Sequence, residues 1–267
     1  MWYWCVLVLA SITSSAAFVS RNSQRIAGGM ETTIEKYNFM ANLMFSEDFS
    51  IYDHQCGGAL VNPRTVLSAA QCFIGLPAAR WRVRLGSTAI NSGGSLHQVS
   101  RITPHPQFSI FTADHDIAVV RLADQAVYSP SVGAAFIAAS SLEIEDGTKV
   151  TALGWGNLSN DGDKPTTLQE VELDVFNQES CYELYELLKS QPDFLTWPSV
   201  TPQMMCIGVT DVGGKSTCAG DTGSPVMYGD NIVVGVASWG NQCGDSEYPS
   251  VVTRVSNYTD WVVENAV

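Results

Sequence analysis

The stretch CAGDTGSP, from Cys218 to Pro225, places an acid and a hydroxyl between a cysteine and a proline, with glycines at 220 and 223. Glycine adopts backbone conformations that other residues resist, so the stretch predicts a tight loop. In such a loop the amides of Gly220 and Thr222 can point together at a developing negative charge. The stretch therefore predicts an oxyanion-binding loop, with Asp221 between its two donors.

This loop resembles the nucleophile loop, GDSGGP, of trypsin-like serine proteases of the chymotrypsin family. RIAGGM, GWG, SWG and six cysteines extend the resemblance from Ile26 to the end of the chain. It implies an all-β fold, the chymotrypsin/trypsin fold, with two six-stranded antiparallel β-barrels, a C-terminal helix and a site in the cleft between the barrels. Short β-prone runs separated by Gly, Pro, Asn and Ser have the rhythm of such a fold. The segments TTIEKYNFM, NSGG and DVGGK are most similar to digestive trypsins of insects.

Two members of the family's catalytic triad are substituted here. Thr222 stands at the position of the nucleophilic serine, and Gln71, in TVLSAAQC, at the position of the histidine base; Asp116, in HDIAVVRL, matches the buried aspartate. An amide has no usable pKa near neutrality, so Gln71 cannot accept a proton from a hydroxyl, although it can donate a hydrogen bond to Asp116. The extra methyl group of Thr222 crowds the place of an acyl group. Ser224 replaces the loop's second glycine and can distort the turn.

The remaining histidines offer no replacement base. His54 matches a structural position of the family, and alternation along a strand turns His115 away from Asp116. His97 and His105 lie in turn-like sequence.

The resemblance also implies a specificity pocket formed by Ser216, Gly240 and Ser250. Ser216 stands where trypsins keep an aspartate for Lys and Arg, so the pocket lacks a counter-charge for basic side chains. Gly240 leaves one wall open and Ser250 narrows the other. A small or medium apolar side chain fits such a slot; drift of an unused pocket is an equal alternative.

The first twenty residues are typical of a secretory signal. Their apolar run is too short to span a bilayer and ends in small residues near Ala17, which predicts a signal peptide over 1–17. RIAGGM resembles the family's activation junction: cleavage after Arg25 would remove residues 18–25 and let the amine of Ile26 pair with Asp221. Residues 26–267 are then the protease-like domain of a secreted, extracellular protein, with a gut lumen as an expected location. No later stretch approaches about 18 apolar residues, so we expect no membrane span.

An even number of cysteines remains once Cys5 leaves with the signal peptide, which in an exported chain is typical of disulfides. The resemblance implies the pairs Cys56–Cys72, Cys181–Cys206 and Cys218–Cys243. No CxxC pair or HxxxH spacing occurs, so we expect no metal and no cofactor. Asn157 in NLS and Asn257 in NYT match the glycosylation pattern.

Charge excludes one class of partner. From Ile26 onward the chain carries 12 Lys and Arg against 27 Asp and Glu, a net charge of −15, which repels nucleic acid. The sequence favours a monomeric serine protease homologue that binds protease inhibitors, substrates or a partner protease without cutting them. The alternative is a weak serine-type endopeptidase of chymotrypsin- or elastase-like preference that uses Thr222 with a water-mediated base.

Overall fold

A computed structural model describes residues 28–209 and 212–266 of the chain. The predicted signal peptide (1–17) and activation peptide (18–25), and both Arg25 and Ile26 at the junction, lie outside the described residues. The described part is dominated by strands. They are β1 (Met30–Glu31), β2 (Met40–Phe45), β3 (Asp53–Asn62), β4 (Thr65–Ser68), β5 (Trp81–Leu85), β6 (Ser95–Pro104), β7 (Ala118–Leu122), β8 (Phe136–Ile137), β9 (Lys149–Gly154), β10 (Gln169–Phe176), β11 (Met204–Gly208), β12 (Pro225–Tyr228), β13 (Ile232–Trp239) and β14 (Ser250–Arg254).

The first barrel closes through β2-β3-β4-β7-β6-β5, and each neighbouring pair is antiparallel. Its strands follow the alternation of the sequence. In β5, WRVRL buries Trp81, Val83 and Leu85 and directs Arg82 and Arg84 towards solvent, because successive side chains of a strand point to opposite faces. The buried face of β5 thus joins a closed hydrophobic core.

The second barrel closes through β9-β10-β11-β14-β13-β12, again antiparallel, and β12 pairs with β9 to complete the ring. Two short strands extend it: β1 pairs with β10, and β8 pairs with β13. The predicted architecture of two six-stranded antiparallel barrels is therefore confirmed.

Two α-helices accompany the barrels in the described residues. α1 (Gln178–Lys189) begins where the side chain of Asn177 accepts a hydrogen bond from the backbone N–H of Ser180 at 2.9 Å. α2 (Thr259–Asn265) is the predicted C-terminal helix. Residues Val255–Tyr258 form a 3-10 turn first, so the α-helix begins later and has no side-chain cap.

Three disulfides lie within the described residues. They join Cys56 to Cys72, Cys181 to Cys206 and Cys218 to Cys243, the pairs that the resemblance implies. No helix of the described ranges is long and apolar enough to cross a bilayer.

The cleft lies where loops from both barrels meet. Gln71 follows β4 in a 3-10 turn (Ala70–Phe73), and Asp116 precedes β7, so both belong to the first barrel. The loop from Cys218 to Ser224 precedes β12 of the second barrel. The antiparallel frame thus brings together segments about 150 residues apart in the sequence.

Candidate active-site cleft

A buried carboxylate forms the centre of the cleft. Asp116 has no exposed surface, and its carboxylate accepts hydrogen bonds from Gln71 and Ser238. The backbone N–H of Gln71 donates to Oδ1 at 2.8 Å, the side-chain Nε2 of Gln71 donates to Oδ2 at 2.5 Å, and the hydroxyl of Ser238 donates to Oδ2 at 2.6 Å. Burial raises the pKa of Asp116, and the bonds from Ser238 and Gln71 oppose that rise. The carboxylate is thereby held by groups from both barrels.

The side-chain amide of Gln71 has no free hydrogen for a nucleophile. Its Nε2 also donates to the carbonyl oxygen of Ser238, on β13, at 2.9 Å. An NH₂ group has two hydrogens, and these two acceptors use both. Between Gln71 and the hydroxyl of Thr222 the described residues show no hydrogen bond. Gln71 therefore acts as a donor that links the barrels, and it cannot accept a proton near neutral pH.

The loop around Thr222 has the backbone conformation that its glycines permit. Gly220 and Gly223 have φ values of 96° and 83°, a region that side-chain-bearing residues rarely adopt. The backbone oxygen of Thr222 accepts a bond from the N–H of Gly57 at 2.9 Å. In the part of the chain that the structure describes, neither the Gly220 N–H nor the Thr222 N–H donates to another group. Both amides are thus available to an oxygen of a bound ligand.

Ser224 does not distort the turn, contrary to the expectation from the sequence. Its N–H donates to the Asp221 carbonyl at 2.8 Å, and its own carbonyl accepts from Ala237 at 2.9 Å. The side chain occupies space left by a glycine of β3: a Cβ on Gly57 would lie 1.8 Å from the Ser224 hydroxyl oxygen. The hydroxyl is buried without a hydrogen-bond partner among the described residues. The turn therefore accommodates serine because Gly57 faces it.

Asp221, within the same loop, is a second buried carboxylate. Its oxygens accept from the N–H of Gly156 at 2.7 Å and of Cys218 at 2.9 Å. Gly154 and Gly156 make room for it, since a Cβ on Gly154 would lie 2.1 Å from Oδ1. Burial raises the pKa of Asp221 to about 7, because these two donors offset only part of the cost of desolvation. A cation that reached this carboxylate would stabilise its charged form.

His54 supports the loop from the first barrel. Its Nε2 lies 2.9 Å from the carbonyl oxygen of Gly220, and its Nδ1 lies 2.9 Å from Oδ1 of Asn42. Burial lowers the pKa of His54 to about 4, so the ring is neutral at physiological pH. Lys164 donates to the backbone oxygen of His54 at 3.0 Å, which ties a loop of the second barrel to the same point.

Two expectations about the other histidines are wrong in detail. His115 lies before β7 with a φ of 56°, so strand alternation does not set its direction. It nevertheless faces away from the cleft: its Nδ1 lies 2.9 Å from the hydroxyl of Tyr258, and its ring stacks on His105 at 5.0 Å. His97 lies within β6 and not in a turn.

Thr222 lies between two cavities. A cavity of about 290 Å³ is lined by Thr217, Trp239, Gly240 and their neighbours, and none of its described lining residues is charged. Gly240 lines this cavity, whereas Ser216 and Ser250, each 4% exposed, are outside the lining. The hydroxyl of Ser216 donates to the carbonyl of Thr217 and accepts from the N–H of Gly244. On the other side, a cavity of about 430 Å³ is lined by residues that include Gln71, Leu76 and Trp81.

Comparison with known proteins agrees with this geometry. A family model described as Trypsin matches residues 26–262. The chain belongs to the trypsin family. "Trypsin, alkaline B" of Manduca sexta is 37% identical over 97% of this chain and 98% of the relative, and "Trypsin CFT-1" of Choristoneura fumiferana is 38% identical with the same coverage. "Achelase-1" of Lonomia achelous is 36% identical over 90% of this chain and 100% of the relative.

The activity of the trypsin family is that of serine-type endopeptidases, which act on protein substrates and meet protein inhibitors. Sequence reasoning singled out Gln71, Asp116 and Thr222, and the structure brings them to one cleft. It missed Ser238, whose hydroxyl and carbonyl complete the contacts of Asp116 and Gln71. Ser238 belongs to the SWG motif, so the sequence contained a clue to its position.

The predicted glycosylation acceptors differ in surroundings. Asn257 is exposed, but its Nδ2 donates to the Pro202 carbonyl at 3.0 Å and to Oε1 of Gln203 at 3.1 Å. Asn157 is half-buried, and its backbone N–H donates to the Ala219 carbonyl at 2.8 Å. Glycosylation at both positions remains a prediction.

The described residues hold no group of three or more His, Cys, Asp or Glu side chains arranged for a metal.

The barrel-linking role of Gln71 predicts a stability effect. Gln71→Ala removes two side-chain donors and leaves part of Asp116 and the Ser238 carbonyl unsatisfied, which should lower the free energy of unfolding by about 1–3 kcal/mol in urea titrations. Gln71→His is the matched control, because an imidazole N–H can still donate to Asp116, and it should lose less. Equal stability of Gln71→Ala and the parent would contradict this role.

The raised pKa of Asp221 predicts a pH dependence for the chain with an intact Arg25–Ile26 bond. A folded-state pKa of about 7 exceeds the ordinary unfolded value of about 3.9, so the folded protein binds this proton more tightly. The contribution of Asp221 to the free energy of unfolding is therefore complete below about pH 4. It declines as pH rises to about 7 and is constant above that, and the total loss is up to about 4 kcal/mol.

Asp221→Asn should abolish that decline, because the amide does not titrate; Asp116 titrates in both proteins and cancels in the comparison. Urea unfolding measured across this pH range tests the prediction. Parallel curves of unfolding free energy against pH for the parent and Asp221→Asn would show that ionisation of Asp221 does not destabilise the folded protein.

Proposed function

We propose that this trypsin-family protein binds other proteins in its cleft without cleaving them. Its partners are protease inhibitors, intact substrates or an active protease. The observation that carries the proposal is the amide of Gln71, which directs both hydrogens into Asp116 and Ser238. A general base must accept a proton at this position, and the group present is a donor already in use.

The proposed loss of chemistry involves two positions that work as a unit. We assign Gln71, Asp116 and Thr222 to the triad positions and the amides of Gly220 and Thr222 to the oxyanion site. A threonine nucleophile of the usual kind uses its own terminal amine as base, and Thr222 lies inside the chain. Because a nucleophile and its base act together, losing both costs little more than losing one.

Binding capacity persists in the same cleft. The two amides are free, and cavities open on both sides of Thr222. With Gly240 in its wall and no charge in its described lining, the smaller cavity suits a small or medium uncharged side chain. We assign Ser216 and Ser250 to this pocket as supporting residues: the hydroxyl of Ser216 bonds the carbonyl of Thr217, and a Cβ on Gly240 would lie 3.6 Å from Cα of Ser250. A partner can therefore insert a side chain and place a carbonyl oxygen on the amides.

The setting of this function follows from the sequence. We propose that residues 1–17 direct secretion, that removal of 18–25 after Arg25 frees the Ile26 amine to pair with Asp221, and that the mature monomer acts outside the cell, in a gut lumen. A raised pKa at a fully buried carboxylate supports this pairing, because an ammonium group would relieve its cost.

A weak endopeptidase is the second candidate. Thr222 is half-buried beside both cavities, and its hydroxyl has no partner among the described residues, so a water molecule in the cleft can reach it. Such a water would have to carry the proton that Gln71 cannot accept.

A repair experiment separates these candidates. Gln71→His restores a base next to Asp116, and Thr222→Ser restores an uncrowded nucleophile. After verified cleavage behind Arg25, the double variant should hydrolyse small apolar peptide esters and react with a fluorophosphonate. The parent and each single variant should do neither. Ser224 need not be changed, because the turn is intact.

The control is Gln71→His combined with Thr222→Ala, which has the base but no nucleophile and should be inactive. Ester hydrolysis by the parent that disappears in Thr222→Ala would favour the weak endopeptidase. A folded, cleaved double variant without activity would show that the cleft no longer has protease geometry.

A further inference from the structure

The acidity of the chain is concentrated in its second half. Residues 28–139 contain seven Lys and Arg against eight Asp and Glu, a net charge of −1. Residues 140–267 contain five against nineteen, a net charge of −14. Such an imbalance creates a field on one side of the molecule that attracts cationic partners and repels anionic ones.

A groove of about 650 Å³ lies on this acidic half, outside the cleft. One side is α1, and the other is the loop from Gly240 to Tyr248. Its lining includes Phe176, Glu183, Leu184, Leu187, Glu247 and Tyr248. Leu187 is 63% exposed, so its side chain offers apolar surface to a partner. The groove thus combines apolar surface with carboxylates.

The carboxylates of the groove have no cationic partner in the part of the chain that the structure describes. Within the described ranges, neither Glu183 nor Glu247 takes part in an ion pair. Lys189, the cation nearest along α1, is engaged by Glu186 at 2.9 Å and by the hydroxyl of Ser199. Both free carboxylates are exposed, so a cationic side chain can reach them from solvent.

The loop that presents Glu247 is well defined. Oδ1 of Asp245 accepts from the N–H of Glu247 at 2.8 Å and of Tyr248 at 3.2 Å, and Oδ2 accepts from Asn241 at 3.0 Å. An aspartate that bonds its own following amides fixes a turn. Asn241 also lines the smaller cavity of the cleft, so one loop borders both the cleft and the groove.

We propose that the groove between α1 and the Gly240–Tyr248 loop binds a cationic amphipathic segment of a partner protein. Apolar side chains of the segment pack on Leu184 and Leu187, and its Lys or Arg side chains pair with Glu183 and Glu247. A second copy of this chain is a poor occupant of the groove, because both copies carry a net negative charge and repel each other. The groove does not require an inactive cleft, so a failure here and a failure of the proposed function are distinguishable.

Fluorescence anisotropy with a short labelled peptide of alternating Lys and Leu tests this proposal on the full chain. Binding should weaken at high salt, because exposed charge pairs are screened. Glu183→Gln with Glu247→Gln should raise the Kd about tenfold, a size consistent with two exposed pairs. Leu187→Ala should also weaken binding, and hydrogen exchange at residues 240–248 should slow when the peptide is bound.

The matched control is Asp260→Asn with Glu264→Gln on α2, which removes the same charge from exposed positions outside the groove and should leave the Kd unchanged. An equal loss in this control would show that general acidity attracts the peptide and would overturn the proposal. A dimer seen by sedimentation and abolished by Leu187→Ala would also overturn it, by assigning the groove to a second copy. Unchanged binding in the Glu183 and Glu247 double variant would exclude the groove.

Discussion

The structure of the cleft depends on keeping one buried carboxylate satisfied. Asp116 lies between the barrels, and an ionised carboxylate there is tolerated only with hydrogen-bond donors on all sides. Gln71 and Ser238 donate to its side chain, and the hydroxyl of Thr253 donates to its backbone oxygen at 2.7 Å. A glutamine amide meets this requirement as a donor but does not replace a base. The fold can therefore keep Asp116 satisfied with a glutamine at position 71.

The loop before β12 depends on a second constraint, the space around it. The side chain of Asp221 fits only because Gly154 and Gly156 lack side chains. Only glycine fits at position 223, because a Cβ there would lie 2.2 Å from the hydroxyl oxygen of Ser68. His54 holds the Gly220 carbonyl from the other barrel. These contacts keep two amides free at the surface, which is the property that a binding cleft needs.

The sequence predicted the two barrels through its resemblance to the trypsin-like family, whose motifs extend along the whole domain. It also predicted the Gln71–Asp116 contact, since the motifs TVLSAAQC and HDIAVVRL assign each residue to a known position in the fold. It did not predict that Gly57, 167 residues before Ser224, makes room for that side chain. It also did not predict the left-handed backbone of His115 or the exclusion of Ser216 and Ser250 from the cavity wall. These depend on long-range packing, which local pattern does not encode.

The most direct measurement is the state of a small protein inhibitor after long contact with the cleaved protein. A reactive-loop inhibitor with a small apolar residue for the neutral cavity should form a stoichiometric complex. Mass spectrometry of the inhibitor recovered from that complex should show an intact reactive-site peptide bond, because the cleft binds the loop without a base to cut it. Recovery of the cleaved inhibitor would contradict the account.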